Sequence, residues 1–306
     1  MIESLSKRPE ISEVQDQRPY VVSADIKILL QQWTDQKGFK LPDEEFFRDM
    51  RSDFGVFMKQ IFPGFEMIPE EELSVGLNAI VKKNGLYPLS LDRVYYPSQL
   101  KLDIARQINE DGIDMGLGRR ADSALLLNQF RSLKGSGVDE VSLVDDVIFT
   151  GDLIARVGET LGRMGIKVKE IYAGIGIKEG IDLLQGQGYQ VECVRTYDSV
   201  IDEICERDFY PGVPLSGRLV DPENNVGAPY ILPFGNPGKW ASIPEEWQRP
   251  FSRFCIDQTR KLFEGIETSS NKPVRCSDLE RKVVSLPLDN TRFIDALGEG
   301  ASGLYQ

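Results

Sequence analysis

The stretch that decides the fold is Val141-Ser142-Leu143-Val144-Asp145-Asp146-Val147-Ile148-Phe149-Thr150-Gly151-Asp152-Leu153-Ile154. Its apolar beginning, Val141 to Val144, is typical of a parallel strand covered by helices on both faces. From Asp152 to Met164 the apolar residues recur at helical spacing. We therefore expect the loop 145–151 to join the carboxyl end of a strand to the amino end of a helix. Such a junction binds anions, because the first amide groups of a helix have no partner within it.

Two common phosphate-binding motifs are excluded for this stretch, since it has neither the Gly-Lys-Ser/Thr of a Walker loop nor the spaced glycines of a dinucleotide fingerprint. An apolar strand, Asp-Asp, three residues and Thr-Gly resembles instead the phosphoribosyl pyrophosphate (PRPP) motif of type I phosphoribosyltransferases. In that family the two acids, here Asp145 and Asp146, contact the ribose hydroxyls, and the Thr-Gly segment, here Thr150 and Gly151, holds the 5′-phosphate. The chemistry is sound, because carboxylates accept from a diol and backbone amides donate to phosphate.

Three residues depart from the family pattern. Leu153 stands where the family usually has a small or hydroxyl residue, and it cannot donate to phosphate. Phe149 replaces a Thr or an acid. Asp152 suits the positive end of a helix but repels a bound phosphate, so it is a candidate contact for a ribose that lacks one. The competing interpretation is that the two acids, Asp145 and Asp146, only end a strand and that Asp152 only caps a helix.

The pattern after this motif favours an α/β fold. Buried strands are predicted at 171–177 and 190–195, with a short helix at 181–185 between them. Strands that alternate with helices over short connections indicate an open, mostly parallel sheet, whose ligands bind beyond the carboxyl ends of the strands. The resemblance, which covers about residues 100 to 197, implies a type I phosphoribosyltransferase-like sheet. We predict three parts: an N-terminal helical extension (1–88), the α/β core (89–200) and a C-terminal hood of loops and helix (201–306).

The N-terminal extension is predicted to be helical after a docked extended piece at Tyr20–Val22. Ser23 is expected to cap the first helix, and Gly38 to end it. The second helix, Asp43 to Phe62, carries an aromatic face that fits either the core or the surface of a homodimer. A third helix is predicted from Pro69 to the segment 82–85.

Arg119 and Arg120 are the candidate pyrophosphate ligands. A strand is predicted at 100–108 and a turn at 109–112, followed by a flexible, basic, glycine-containing loop at 115–123. Arginine presents a fork of donors that matches phosphate oxygens. The alternative is a solvated turn in which Ser123 caps a helix at 124–133.

The C-terminal part is rich in turn residues. Phe234 and Trp240 are candidates to stack on a planar base, and the alternative is that they fill space beneath a long loop. A helix is predicted to open at Pro250, and a polar tail to follow from Thr268.

Composition excludes several classes of function. The net charge of −12 argues against a broad nucleic-acid or membrane surface, so a phosphate site must be local. The sequence has no histidine, which excludes His-dependent triads and His metal sites, and its four cysteines lack paired metal-ligand spacing. No protein metal site is therefore predicted. With neither a signal peptide nor a membrane span in the sequence, we expect a cytoplasmic protein.

The resemblance implies a phosphoribosyltransferase-like enzyme, a pentosyltransferase of bacterial nucleotide metabolism. It would bind PRPP or a related ribose nucleotide, with Mg²⁺ held through the substrate pyrophosphate, and transfer or release the ribosyl group. One alternative is a non-catalytic protein that senses PRPP or a nucleotide. Another is a nucleotide-consuming effector of a bacterial stress or phage-defence system, where phosphoribosyltransferase-like proteins also occur. The acceptor base is not readable from the sequence.

Overall fold

The computed structural model describes residues 18–81, 85–109 and 113–306, and it has the mixed α/β architecture with mostly parallel strands that the sequence predicts. The strands are β1 (Tyr20–Ser23), β2 (Phe65–Ile68), β3 (Tyr87–Ser90), β4 (Leu100–Lys101), β5 (Ile104–Ile108), β6 (Asp114–Arg119), β7 (Glu140–Ile148), β8 (Lys167–Ile177), β9 (Gln190–Tyr197), β10 (Asp202–Cys205), β11 (Arg218–Asp221), β12 (Val226–Ala228) and β13 (Lys282–Val283). The helices are α1 (Ile26–Lys37), α2 (Glu44–Ile61), α3 (Glu70–Ile80), α4 (Leu126–Gly135), α5 (Asp152–Arg163), α6 (Lys178–Gly186), α7 (Pro237–Ala241), α8 (Glu245–Ser270) and α9 (Phe293–Gly300).

The central sheet is entirely parallel, in the order β4-β3-β7-β8-β9. Successive residues of β7 enter different cores: Leu143 packs with Ile154 and Leu161 of α5, whereas Val144 packs with Leu73 and its neighbours. This alternation follows from the two-residue period of a strand. Both faces of β7 are therefore covered, as its apolar run predicts.

A second parallel sheet, in the order β10-β1-β2, joins the N-terminal part to the beginning of the C-terminal part. Val21 lies opposite Glu203 in this sheet. The extended piece at Tyr20–Val22 is thus a strand, and it pairs across the predicted boundaries of the N-terminal and C-terminal parts. The predicted cap at Ser23 is wrong, because its hydroxyl donates to Glu203 over 2.9 Å and α1 begins after Asp25 without a side-chain cap.

The aromatic face of α2 lies in the protein core. Phe54 is fully buried and its ring contacts those of Phe65, Phe209 and Phe254. The same core includes residues of α8 and α9, such as Phe251. The core interpretation of this face therefore holds within one chain, and the homodimer stays a prediction.

The third sheet, β13-β12-β11-β5-β6, corrects two expectations. The single strand predicted at 100–108 is two strands in two sheets, because the chain bends between Lys101 and Ile104. The flexible loop predicted at 115–123 is largely the strand β6, antiparallel to β5. At Gly118 the terminal amide of the Gln107 side chain occupies the space where a Cβ would lie. Residues 110–112 of the predicted turn lie outside the described residues, as do residues 82–84 at the predicted end of α3.

Three further boundaries differ from the sequence prediction. α4 begins at Leu126 without a side-chain cap, because the Ser123 hydroxyl donates to the Arg120 carbonyl over 2.6 Å instead. α8 begins at Glu245 rather than Pro250, since Glu245 and Glu246 form a favourable acidic first turn. The predicted polar tail is wrong, because α8 continues to Ser270 and α9 buries Phe293. No helix in the described part of the chain is long and apolar enough to cross a membrane.

Candidate ligand-binding site

A cavity of about 490 Å³ opens where β7 ends and α5 begins. One wall consists of residues 145–151, the stretch that the sequence singles out. The opposite wall comes from the C-terminal part, mainly residues 202–208, 215–219 and 239–240, and from Arg281. The volume falls in the range of small-molecule sites. The expected position of a ligand beyond the carboxyl end of a central parallel strand therefore coincides with a cavity.

The acidic pair lies within the strand rather than after it, since β7 runs on to Ile148. Asp145 is 6% exposed and accepts a hydrogen bond from the Asp146 amide over 3.0 Å. Burial, together with the nearby Asp146 and Asp92 carboxylates, raises the pKa of Asp145 well above its ordinary value. Burial and the Asp146 charge also raise the pKa of Asp92. Three carboxyl groups thus lie close together, and two of them, Asp145 and Asp146, line the cavity.

The turn at Thr150-Gly151 has a backbone conformation that favours glycine. Gly151 has φ of +80°, and a Cβ there would lie 2.9 Å from the Gly180 carbonyl oxygen. A side chain at this position is therefore excluded by both conformation and space. The Thr150 hydroxyl donates to the Asp152 carboxylate over 2.9 Å. Thr150 and Gly151 line the cavity, whereas Asp152 is exposed and outside its described lining.

Only one of the two candidate arginines, Arg119 and Arg120, faces the cavity. Arg120 lines the cavity. Arg119 lies outside the described lining, where it forms an ion pair with Glu223 and donates to the Ser123 carbonyl over 2.9 Å. Adjacent residues at the end of a strand point in different directions, which is why only one of the pair faces the cavity. The structure thus retains Arg120 as a candidate pyrophosphate ligand and gives Arg119 other partners.

Arg207 is a site residue that the sequence interpretation missed. Its guanidinium forms an ion pair with the fully buried Asp25, and its backbone amide donates to the same carboxylate over 2.9 Å. Its Nη2 lies 3.7 Å from Oδ2 of Asp146. Burial raises the pKa of Asp25 to about 7, although Arg207 opposes the shift. Arg207 therefore connects the N-terminal extension to the acidic pair.

Four arginines of the cavity share one unusual property. In each of them Nε is buried and has no hydrogen-bond partner among the described residues; they are Arg120, Arg207, Arg218 and Arg281. Buried donors without partners are rare in native proteins. Burial and the neighbouring Arg120 charge lower the pKa of Arg281 to about 10. Among the described residues Arg207 forms an ion pair with Asp25, whereas Arg120, Arg218 and Arg281 form no ion pair.

The charge balance of the cavity also favours an anion. Its described lining carries five acidic and five basic side chains. Burial, followed by the Asp146 charge, raises the pKa of Glu203 to about 8, and burial raises the pKa of Asp202 and of Asp208. With a pKa of about 8, Glu203 is mostly neutral at pH 7, while the arginines stay charged. The cavity is then positive, inside a protein of net charge −12.

Only one of the two candidate stacking residues, Phe234 and Trp240, lines the cavity. Trp240 lines the cavity, but the Arg218 guanidinium lies 4.9 Å from its ring centre and Tyr230 packs at 5.5 Å. Phe234 belongs to the hydrophobic core near Leu286 and lies outside the described lining. Phe234 thus fills space, as the alternative interpretation states. Stacking of a base on Trp240 stays a prediction.

No protein-family model matches this chain, and no curated protein matches it. Among solved structures, an orotate phosphoribosyltransferase from Aeropyrum pernix is 20% identical over 42% of this chain and 72% of its own, with a TM-score of 0.26. An adenine phosphoribosyltransferase from Thermoanaerobacter pseudethanolicus is 14% identical over 42% of this chain and 80% of its own, at 0.26. The Leishmania donovani UMP synthase is 14% identical over 43% of this chain and 28% of its own, at 0.27. At such scores the function must be inferred from the cavity itself.

Proposed function

We propose that this chain is a phosphoribosyltransferase-like enzyme that binds PRPP, or a related ribose nucleotide, with Mg²⁺ and transfers or releases the ribosyl group. One observation carries the proposal: the Asp-Asp and Thr-Gly segments of a single motif face a set of buried arginines with unpartnered N–H groups across one cavity. The cavity thus combines carboxylates that accept hydrogen bonds from hydroxyl groups with N–H groups that donate hydrogen bonds to phosphate. A ribose that carries phosphate groups needs both.

The binding roles follow from the chemistry of each group. The Asp146 carboxylate is half-exposed at the cavity and accepts from the ribose hydroxyls, while the buried Asp145 orients the Asp146 amide. The amide groups of Gly151 and of the first turn of α5 donate to the 5′-phosphate. Arg120 and Arg207 face the pyrophosphate with fork-shaped donors.

Mg²⁺ is assigned to the substrate rather than to a site made by the protein alone. Mg²⁺ prefers oxygen ligands and usually binds together with substrate phosphates. Among the described residues no three His, Cys, Asp or Glu side chains are placed to hold a metal ion by themselves. The ion would therefore be held through the substrate pyrophosphate, whose charge it would neutralise.

The reaction breaks the bond between the ribose anomeric carbon and the pyrophosphate oxygen, whose electron pair leaves with the pyrophosphate. A nitrogen of the acceptor forms the new bond with its lone pair and then loses a proton. Positive charge develops on the ribose in the transition state, and the Asp146 carboxylate stabilises it. Arg120 and Arg207 stabilise the opposite charge on the leaving group. With no histidine in the sequence, proton transfer falls to carboxylates or to the acceptor itself.

A second candidate function is a protein that senses PRPP or a nucleotide without turning it over. The observation that favours it is the hydrogen bond from Thr150 to Asp152. The Thr150 hydroxyl already donates to this carboxylate, so a phosphate in the same loop would have to compete for the hydroxyl and lie beside a negative charge.

Incubation with PRPP, Mg²⁺ and a panel of bases separates the two functions. Release of pyrophosphate that depends on one base supports the transferase. Tight binding of PRPP without release supports the sensor. A parent protein that neither binds nor cleaves PRPP contradicts both, provided that thermal melting shows it to be folded. An Asp146→Asn variant, measured in parallel, shows that any release arises at this cavity.

A further inference from the structure

The C-terminal wall of the cavity contains donors that the ribose and pyrophosphate roles do not use. Arg218, Trp240 and Arg281 each carry a buried N–H without a hydrogen-bond partner among the described residues. Arg281 is 3% exposed and Trp240 is 7% exposed, so water has little access to either side chain. All three residues line the cavity, together with Lys239. Such a set of donors indicates a ligand that supplies acceptors.

Two acidic residues on this wall, Asp202 and Asp208, already accept hydrogen bonds from other groups of the protein. Asp202 accepts from the Ser242 hydroxyl over 2.8 Å and from the Glu203 amide over 3.0 Å. Asp208 accepts from the Gly217 amide over 2.7 Å. Among the described residues neither carboxylate accepts a hydrogen bond from Arg218 or Arg281, although each lies close enough for its charge to act on one of them. Arg281 donates only to backbone carbonyls, through Nη1. The wall therefore retains buried donors that have no hydrogen-bond acceptor among the described residues.

The geometry of Arg218 restricts the shape of that anion. Its guanidinium lies over the rings of Trp240, at 4.9 Å, and Tyr230, at 5.7 Å. Contact of this kind restrains the position of the guanidinium, and its Nε–H has no hydrogen-bond partner among the described residues. Carboxylate and phosphate oxygens match that edge, and the rigid aromatic support favours a flat group next to it.

We propose that Arg218, Trp240 and Arg281 form an acceptor subsite that recognises an anionic group, either a carboxylate or a phosphate, attached to a planar ring. The proposal rests on the proposed function where it calls the ring the acceptor of the ribosyl group. The acceptor is then an anionic ring compound rather than a neutral base. Its oxygen atoms accept hydrogen bonds from the unpartnered donors of this wall, while the ribose lies on the side of Asp146.

The test is equilibrium binding by calorimetry with matched pairs of planar compounds, with and without PRPP and Mg²⁺. The carboxylate arm compares orotate with uracil and nicotinate with nicotinamide, and the phosphate arm compares phenyl phosphate with phenol. We expect the anionic member of at least one arm to bind tenfold or more tightly than its neutral partner. The arm that shows the preference identifies the anionic group. Equal binding within every pair overturns the proposal.

Two substitutions test whether Arg218 and Trp240 cause the preference for the anionic compound. Arg218→Gln and Trp240→Phe each remove a donor, and phenylalanine keeps an aromatic ring in place. We expect each variant to lower the preference for the anionic member at least fivefold, with unchanged binding of the neutral member. The control is Arg163→Gln on the exposed end of α5, where the side chain is 74% exposed. A preference unchanged in both variants, each shown to be folded by thermal melting, overturns the assignment.

The proposed function and the proposed subsite can be contradicted independently of each other. Asp146→Asn should remove PRPP binding and leave the preference for anionic rings in place. A parent protein that binds no PRPP but still prefers the anionic member contradicts the proposed function and supports the subsite. A parent protein that binds PRPP without any such preference supports the function and overturns the subsite.

Discussion

The Thr150 hydroxyl donates a hydrogen bond to the Asp152 carboxylate over 2.9 Å. Asp152 is the residue that departs most from the motif, and Thr150 is one that matches it. The side chain of Asp152 therefore occupies the hydroxyl of a residue that the motif assigns to phosphate binding. The Asp152 amide in turn lies 3.4 Å from the Thr150 hydroxyl oxygen. A 5′-phosphate in this loop must compete for the hydroxyl and also tolerate the carboxylate.

Asp152→Gly should therefore raise affinity for ribose 5-phosphate at least tenfold at neutral pH, with little effect on adenosine. At about 4 Å the repulsion of a unit charge pair is on the order of 1 kcal/mol in water and 4 kcal/mol at an effective dielectric constant near 20. Tenfold in affinity corresponds to about 1.4 kcal/mol, within this interval. Calorimetric titration of both proteins with both ligands measures the effect. Weaker adenosine binding by the variant would instead assign Asp152 to a ribose 5′-hydroxyl. Unchanged affinities for both ligands would show that Asp152 does not act on the ligand.

Arg120→Gln should weaken pyrophosphate binding at least tenfold, whereas Arg119→Gln should leave it within twofold. Arg120 lines the cavity with an unpartnered Nε, while Arg119 pairs with the exposed Glu223 outside the lining. The two variants are matched in chemistry and differ only in the direction of the side chain. Competition binding with inorganic pyrophosphate provides the measurement. Equal losses would mean that the pair acts as a mobile basic loop, as the sequence alone suggests.

The sequence predicts the motif side of this cavity well, because its residues are neighbours in the chain. Asp145, Asp146, Thr150 and Gly151 lie in one continuous strand, turn and helix whose local pattern is legible without tertiary information. The parallel central sheet is predicted for the same reason. The end of the strand is placed too early, because paired acids resemble a strand end although β8 continues to pair beyond them.

The opposite wall could not be predicted, because its residues come from segments that meet only in the folded chain. Arg207 stands in a charged segment next to the aromatic pair Phe209-Tyr210, and that contrast is the only local signal of its role. Arg281 carries no local signal at all. The strand β6 was misread for a related reason: its glycines resemble a flexible loop, but the segment pairs with β5 across the hairpin, a contact that its own residue pattern does not show.

Gly151→Ala should destabilise the protein by about 1 to 3 kcal/mol, the usual cost of a residue held in a strained backbone region. Gly151 has φ of +80°, and its Cβ would also press on the Gly180 carbonyl. The control is Gly162→Ala in α5, where a Cβ meets nothing within 4 Å and alanine favours the helix by up to about 1 kcal/mol. Urea unfolding of the two variants and the parent compares the free energies of unfolding. A Gly151→Ala variant as stable as the Gly162→Ala variant would contradict the strained turn.

Glu203→Gln should make the protein more stable than the parent at pH 9 and leave it nearly unchanged at pH 5. The folded pKa of Glu203, about 8, lies above its ordinary value of 4.5, so folding favours the neutral form. That contribution is fully present below pH 4.5 and is lost as the pH rises through 8. The facing groups are Asp146 and Asp202, which raise the pKa, and Ser23 and Arg207, which lower it.

Each unit of pKa is worth about 1.4 kcal/mol, so at pH 9 we expect a gain of at least about 2 °C in the melting temperature. Glutamine still accepts the hydrogen bond from Ser23 and does not ionise. Thermal melting between pH 5 and pH 9 tests this expectation. A constant difference across that range would mean that Glu203 titrates in the folded protein as it does in the unfolded chain.

The central claim is that the Asp145-Asp146 pair holds a ribose that carries phosphate groups. The most direct measurement is calorimetric titration of PRPP, with Mg²⁺, into the parent, Asp146→Asn and the surface control Asp182→Asn, whose side chain is 59% exposed on α6. We predict that the parent and the control bind PRPP alike, and that Asp146→Asn binds at least tenfold more weakly while melting as the parent does. Binding of PRPP by Asp146→Asn with the affinity of the parent, or no binding by a folded parent, would contradict the claim.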